Sequence, residues 1–233
     1  MPIMRLDKFL SDTGRFTRSE GKAAIRKGRI AINGQIEKSP ERKLSPETDT
    51  VALDGAPLLY RRCTYLMLNK PEGVVSATED GDRTVIDLLP EELRRLGLFP
   101  CGRLDKNTVG LVLLMNDGPL SHRLLAPKSH VDKVYTFRCK FPLSEADIAS
   151  LEQGVDIGGY TTAPCKVERT GEREGRITLR EGKYHQIKLM LAAVHNQVTY
   201  LERITFGGIP LDPVLGRGEW RYLTEEEENL LKG

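Results

Sequence analysis

The unbroken apolar run Leu111-Val112-Leu113-Leu114-Met115 follows directly on a polar loop, Cys101-Gly102-Arg103-Leu104-Asp105-Lys106-Asn107-Thr108. The run reads as an apolar strand, with Arg103 and Asp105 at its entrance. It is far shorter than the ~20 apolar residues that a membrane span needs. Strand-like runs dominate the chain after residue 64: Tyr65–Leu68, Val134–Lys140, Arg176–Leu179 and Val198–Leu201. The pairs Asp117-Gly118 and Gly207-Gly208 read as turns between such runs. Helices are few. Ser144–Glu152 opens on Ser144-x-x-Asp147, a carboxylate variant of the capping box. His185–His195 carries Ile187, Met190, Leu191 and Val194 at the spacing of a buried stripe. Thr224-Glu225-Glu226-Glu227 caps a last short helix. Many strands with few interleaved helices predict a mixed α+β sheet, not a doubly wound one.

The first 60 residues have a different character. A short helix starts in Arg5–Leu10 with Leu6, Phe9 and Leu10 on one face. Thr17-Arg18-Ser19-Glu20 is a capping box, Ala24 and Ile25 face inward, and Gly28 is placed to stop the second helix. Asn33-Gly34 lies between two short alternating runs and predicts a hairpin. Val51–Leu53 follows as a strand ending in Asp54-Gly55, and residues 56–64 read as a linker. Charge is uneven: residues 1–62 hold 13 Lys/Arg against 8 Asp/Glu, whereas the whole chain carries only +2. Arg15, Arg18, Lys22, Arg26 and Arg29 step by three or four residues, so they share a helical face. Such a face is either solvated or a nucleic-acid footprint. The run Arg5-Leu6-Asp7-Lys8-Phe9-Leu10, the capping box, and Ile25-Arg26-Lys27-Gly28-Arg29-Ile30-Ala31-Ile32-Asn33-Gly34 together resemble an S4-type RNA-binding domain. The resemblance implies RNA contacts from Arg5, Lys8, Arg15, Arg18, Lys22, Arg26, Lys27 and Arg29.

Several chemistries lack their motifs. No phosphate-binding G-x-x-x-x-G-K-[ST] loop occurs, nor a strand followed by G-x-G-x-x-G, a G-x-S-x-G elbow or H-E-x-x-H. Cys63, Cys101, Cys139 and Cys165 are too widely spaced for a zinc knuckle or a C-x-x-C pair, and four buried reduced thiols are expected instead. No metal and no cofactor are expected. The N-terminus turns polar at once, so no signal peptide is read there and a cytoplasmic location is expected.

Taken alone, Asp105 could simply cap its loop, Lys188 could be a surface helix cation, and Tyr135 a half-buried strand aromatic. Three segments in order change the reading: Gly102-Arg103-Leu104-Asp105-x-x-Thr108-x-Gly110-Leu111, Lys133-Val134-Tyr135, and His185-Gln186-Ile187-Lys188. With Leu68-Asn69-Lys70-Pro71-x-Gly73 upstream and Leu223-Thr224-Glu225-Glu226-Glu227 at the end, the chain resembles the pseudouridine synthases, in their S4-bearing bacterial ribosomal branch. The resemblance implies that Asp105 is the essential aspartate and that Tyr135 stacks on the target base. It further implies that Lys188 pairs with the aspartate, that Arg103 holds the target nucleotide flipped out, and that Leu201 lines the pocket. Asn107 stands where an acid is common, and Leu189 where the branch usually has a second base.

The expected architecture is therefore α+β: a small S4-like domain over residues 1–60, then a synthase domain over 64–233 with a mixed, mainly antiparallel sheet and flanking helices. The expected reaction is isomerisation of one uridine in 16S ribosomal RNA within a small-subunit assembly intermediate, by a single chain without membrane association. The competing readings are the same reaction on a 23S uridine and a non-catalytic ribosomal RNA-binding protein. A methyltransferase is disfavoured by the missing glycine-rich loop.

Overall fold

The computed structural model describes residues 3–126, 129 and 131–233. The chain divides into two compact units, one containing the residues up to Thr64 together with Leu89–Leu98, the other Tyr65–Leu88 with Phe99–Gly233.

The first unit is built from β1 (Met4–Arg5), α1 (Leu6–Asp12), α2 (Arg18–Arg26), β2 (Ile30–Ile32), β3 (Gln35–Ile36), β4 (Lys43–Leu44), β5 (Val51–Leu53) and β6 (Ala56–Leu58). The Thr17 hydroxyl accepts from the Glu20 amide at 3.2 Å and the Glu20 carboxylate accepts from the Thr17 amide at 2.7 Å, so both orphan donors at the start of α2 are satisfied. Asn33 and Gly34 both have positive φ, at 51° and 81°, which is the two-residue geometry that matches the twist of the β2–β3 hairpin. Leu6, Phe9 and Leu10 of α1 meet Ala24, Ile25, Ile30 and Val51 in one buried core.

Two expectations need correction here. Residues 56–58 are not linker: Asp54 and Gly55 make another positive-φ turn, and β6 pairs back on β5. Proline has no N–H to donate to a ladder, but β6 lies at the edge of its sheet, where Pro57 is tolerated. The first unit also takes in a short helix, α3 (Glu91–Arg94), from within the range expected to form the second domain. Gly14, at φ 75°, lies so near the Glu92 carbonyl that a Cβ would sit 2.2 Å from its oxygen. Arg95 reaches Glu20 at 3.4 Å.

The second unit holds β7 (Tyr65–Lys70), β8 (Phe99–Cys101), β9 (Val109–Met115), α4 (Gly118–Leu125), β10 (Lys133–Cys139), α5 (Glu145–Gln153), β11 (Lys166–Gly171), β12 (Glu174–Leu179), α6 (Gln186–Ala193), β13 (Val198–Phe206), β14 (Ile209–Pro210), β15 (Trp220–Tyr222) and α7 (Glu225–Lys232). Its sheet runs β11-β12-β10-β13-β9-β7-β15, with β8 on β9 and β14 on β13. Among the named pairings only β9 with β13 is parallel, so the sheet is mixed and mainly antiparallel and the fold is α+β. β9 is buried at every residue, as its unbroken apolar run requires, whereas β10 alternates. The Asp117-Gly118 pair is not a turn but the start of α4, with the Asp117 carboxylate accepting from the Leu120 amide at 3.1 Å. All four cysteines are free, yet only Cys101 and Cys139 are fully buried, and Cys63 and Cys165 are half-buried. No described helix is long and apolar enough to cross a membrane.

Candidate active site

The loop joining β8 to β9 carries Arg103 and Asp105, and its backbone is tied down almost residue by residue. The Ser76 hydroxyl donates to the Leu104 carbonyl at 3.0 Å and accepts from the Leu104 amide at 3.1 Å. The Gly73 amide donates to the Lys106 carbonyl at 2.8 Å, and the Thr108 amide to that of Asp105 at 3.0 Å. Lys70, wholly buried at the end of β7, aims its ammonium at three carbonyls: Thr108 at 2.7 Å, Pro71 at 3.1 Å and Lys106 at 3.2 Å. Burial pulls the Lys70 ammonium down to about 8, against the opposing pull of the Asp105 carboxylate. At the far end of the loop Gly110 has φ 97°, and a Cβ there would stand 2.4 Å from the Arg203 carbonyl. Only glycine permits β9 to lie this close to β13.

With the loop backbone satisfied, the Asp105 carboxylate is left to the cleft. Lys188, in the first turn of α6, donates to Asp105 Oδ2 at 2.5 Å and to Asn107 Oδ1 at 2.5 Å. His185 Nε2 lies 3.6 Å from Asp105 Oδ1. The cleft encloses about 460 Å3 of space open to solvent. Its walls include Arg103, Asp105, Tyr135, His185, Lys188 and Leu201. Tyr135 on β10 and Leu201 on the adjacent β13 are both buried, and Arg103 is exposed at the rim. The structure therefore gathers all five cleft residues singled out in the sequence: Asp105, Tyr135, Lys188, Arg103 and Leu201.

Sequence reasoning missed three groups. Lys70 was seen in its motif but given no task, because two of its three carbonyl partners lie 36 and 38 residues away. His185 was visible only as the start of a helix. It occupies the helix N-cap position with left-handed backbone (φ 50°, ψ 27°), uncommon for a residue other than glycine. Gln186, expected only as part of a helix start, is buried and bonds Glu181 at 2.5 Å and the Lys183 amide at 2.9 Å, which closes the turn in front of α6.

In the first unit the eight cations fall into two groups. Arg5 makes two 3.0 Å bonds to the fully buried Asp7, with Arg18 at 3.7 Å and Lys22 at 3.9 Å from the same carboxylate. Lys8 pairs with Asp12 and Arg29 with Asp54. Arg15, Arg26 and Lys27 are exposed and have no ion pair among the described residues.

The second unit thus holds an aspartate–lysine pair in a cleft, and the first unit before it carries the exposed cations. Residues 4–51 match the S4 domain, and residues 64–193 match the RNA pseudouridylate synthase family. The chain belongs to that family, whose members are isomerases that turn uridine into pseudouridine. It is 49% identical to the uncharacterized RNA pseudouridine synthase YtzG of Bacillus subtilis, over 98% of each chain. It is 40% identical to ribosomal small subunit pseudouridine synthase A of Escherichia coli, over 96% of this chain and 98% of that one. A crystal structure described as a pseudouridylate synthase superposes with a TM-score of 0.70 at 37% identity, covering 98% of this chain and 99% of the other.

Proposed function

We propose that this chain isomerises one uridine of 16S ribosomal RNA to pseudouridine, with Asp105 as the group that drives the chemistry. The observation that carries this reading is the Asp105–Lys188 contact at 2.5 Å inside a cleft walled by Tyr135 and Leu201. The relatives named for the small ribosomal subunit support the choice of RNA. In the reaction the N1–C1′ bond breaks and a C5–C1′ bond forms, while the C5 proton is lost and N1 gains one. Product and substrate are isomers, so no redox partner or group donor enters the balance. Buried in a duplex, neither C1′ nor C5 is accessible, so the nucleotide must be extruded. Tyr135 offers the flipped base a stacking face, and Arg103 at the rim is placed to take a phosphate. The Asp105 carboxylate drives the cleavage and reattachment at C1′ of the flipped nucleotide, and Lys188 offsets its charge. The loop tethers from Lys70 and Ser76 fix the carboxylate in place before substrate arrives, which lowers the reorganisation the reaction demands. The reading includes action as a single chain in the cytoplasm, on RNA still being assembled into the small subunit.

The test is tritium release from 16S RNA transcribed with 5-tritiated uridine, since C5 loses its hydrogen on reaction. Wild type should release one equivalent and Asp105→Asn none, while binding RNA nearly as well. Wild-type release by the Asn variant would overturn the role of Asp105. Pseudouridine mapping in cells lacking the protein should show one position lost from 16S RNA, and a loss from 23S RNA instead would reassign the substrate.

A further inference from the structure

The turn in front of α6 presents two aromatic rings in succession, and only the second is accounted for by the cleft. His185 faces Asp105, whereas Tyr184 stands outside, 80% exposed. The two rings are stacked, with centroids 3.8 Å apart and planes inclined by 21°. The left-handed backbone at His185 lets consecutive side chains lie ring on ring, a conformation uncommon in a residue other than glycine. The Gln186 bridge to Glu181 and to the Lys183 amide holds the turn in this form. The Tyr184 hydroxyl has no hydrogen bond among the described residues. A large ring held on one face and bare on the other contributes little to the fold that a smaller side chain would not. Lys183, the residue before Tyr184, carries its ammonium 4.2 Å over the Tyr160 ring.

We propose that Tyr184 is a stacking platform for the unpaired nucleobase adjoining the target uridine. When the target enters the cleft beside Asp105, its neighbour lies on the Tyr184–His185 stack, and Lys183 meets the phosphate near it. The platform tolerates any base, because every base has a π-face. This inference rests on the RNA-modifying reading above but adds a second nucleotide subsite to it.

Two measurements on the full chain test it. In the first, fluorescein-labelled dodecauridylate is titrated across a salt series. Tyr184→Ala should bind about tenfold more weakly at every salt concentration with an unchanged salt slope, because stacking releases no counterions. Tyr184→Phe should bind like wild type, and Tyr184→Leu, apolar but not aromatic, should stay weak. Unchanged affinity in the Ala variant, or full recovery in the Leu variant, would overturn the platform. In the second, tritium release from the 16S transcript should show KM raised about tenfold in Tyr184→Ala and kcat changed far less. A fall in kcat at unchanged KM would make Tyr184 a support for His185 and overturn the proposal. Should wild type fail to modify the transcript while Tyr184→Ala still weakens dodecauridylate binding, the substrate assignment fails and the platform stands. Normal turnover and binding by the Ala variant would leave the assignment standing and remove the platform.

Discussion

At 2.5 Å the Lys188 ammonium is in direct contact with Asp105, yet it also bonds Asn107 at the same distance. The second bond fixes the lysine against the loop as well as the carboxylate, so its loss should disturb both charge and position. We expect Lys188→Met to cut turnover by about 10²-fold, the order of loss when one preorganised charge-stabilising donor is removed from a site. Lys188→Arg should recover much of it, and single-turnover rates on the tritiated transcript separate the two. At this scale the sequence was informative where a side chain lies in one of the three motifs: Asp105, Tyr135 and Lys188 all reach one cleft, and Leu201, implied only by the family resemblance, lines it too. Lys70 and His185 were not legible. The task of Lys70 is defined by carbonyls that come near only after β7 and β9 pair, and carbonyls leave no mark in a sequence. His185 is defined by a backbone conformation that residue type does not announce.

Among the elements, the β9–β13 contact is the most demanding, because among the described strands it alone is parallel and it is made at a glycine with φ 97°. Gly110→Ala should destabilise the protein by about 3 kcal/mol or more, combining backbone strain with a 2.4 Å clash against the Arg203 carbonyl. The urea midpoint reads this directly, and activity should fall with it, since the same strand start carries the Asp105 loop. α1 offers a pH-dependent counterpart. The Arg5 guanidinium holds the buried Asp7 carboxyl below the usual carboxylate range. The stability this contributes is present above the unfolded value near pH 4 and is lost as pH falls through the lower folded value. Asp7→Asn should cost about 2 kcal/mol at pH 7, and the gap from wild type should close as pH drops below 4. A gap that stays constant from pH 7 to pH 3 would rule the pairing out as its source. The capping boxes at Thr17, Ser144 and Thr224 were readable because each signal spans only four residues. β6 was not, because Pro57 carries the opposite local signal and edge position is a property of the sheet.

For the molecule as a whole, charge is concentrated where the S4 match lies. Five of its eight singled-out cations are already paired with acids, which leaves Arg15, Arg26 and Lys27 with the least competition for phosphate. Replacing these three by Ala should lower the slope of log K against log[salt] by about two on single-stranded RNA, with kcat on saturating RNA little changed. An unchanged slope would make the face merely solvated. The S4-like start and the synthase-like remainder were legible from charge and motif, but the grouping of residues 89–98 with the first unit was not. Its partners are single features such as Gly14 against the Glu92 carbonyl and Glu20 against Arg95, separated by 75 or more positions. That excursion bears on how such chains can be shuffled. A recombination event with one crossover near residue 60 would import a new first unit while keeping the old 89–98 segment. The incoming sequence would then need its own small residue at position 14 and its own acid at position 20 to fit an inherited Glu92 and Arg95. A productive exchange needs two further junctions, one on each side of that segment.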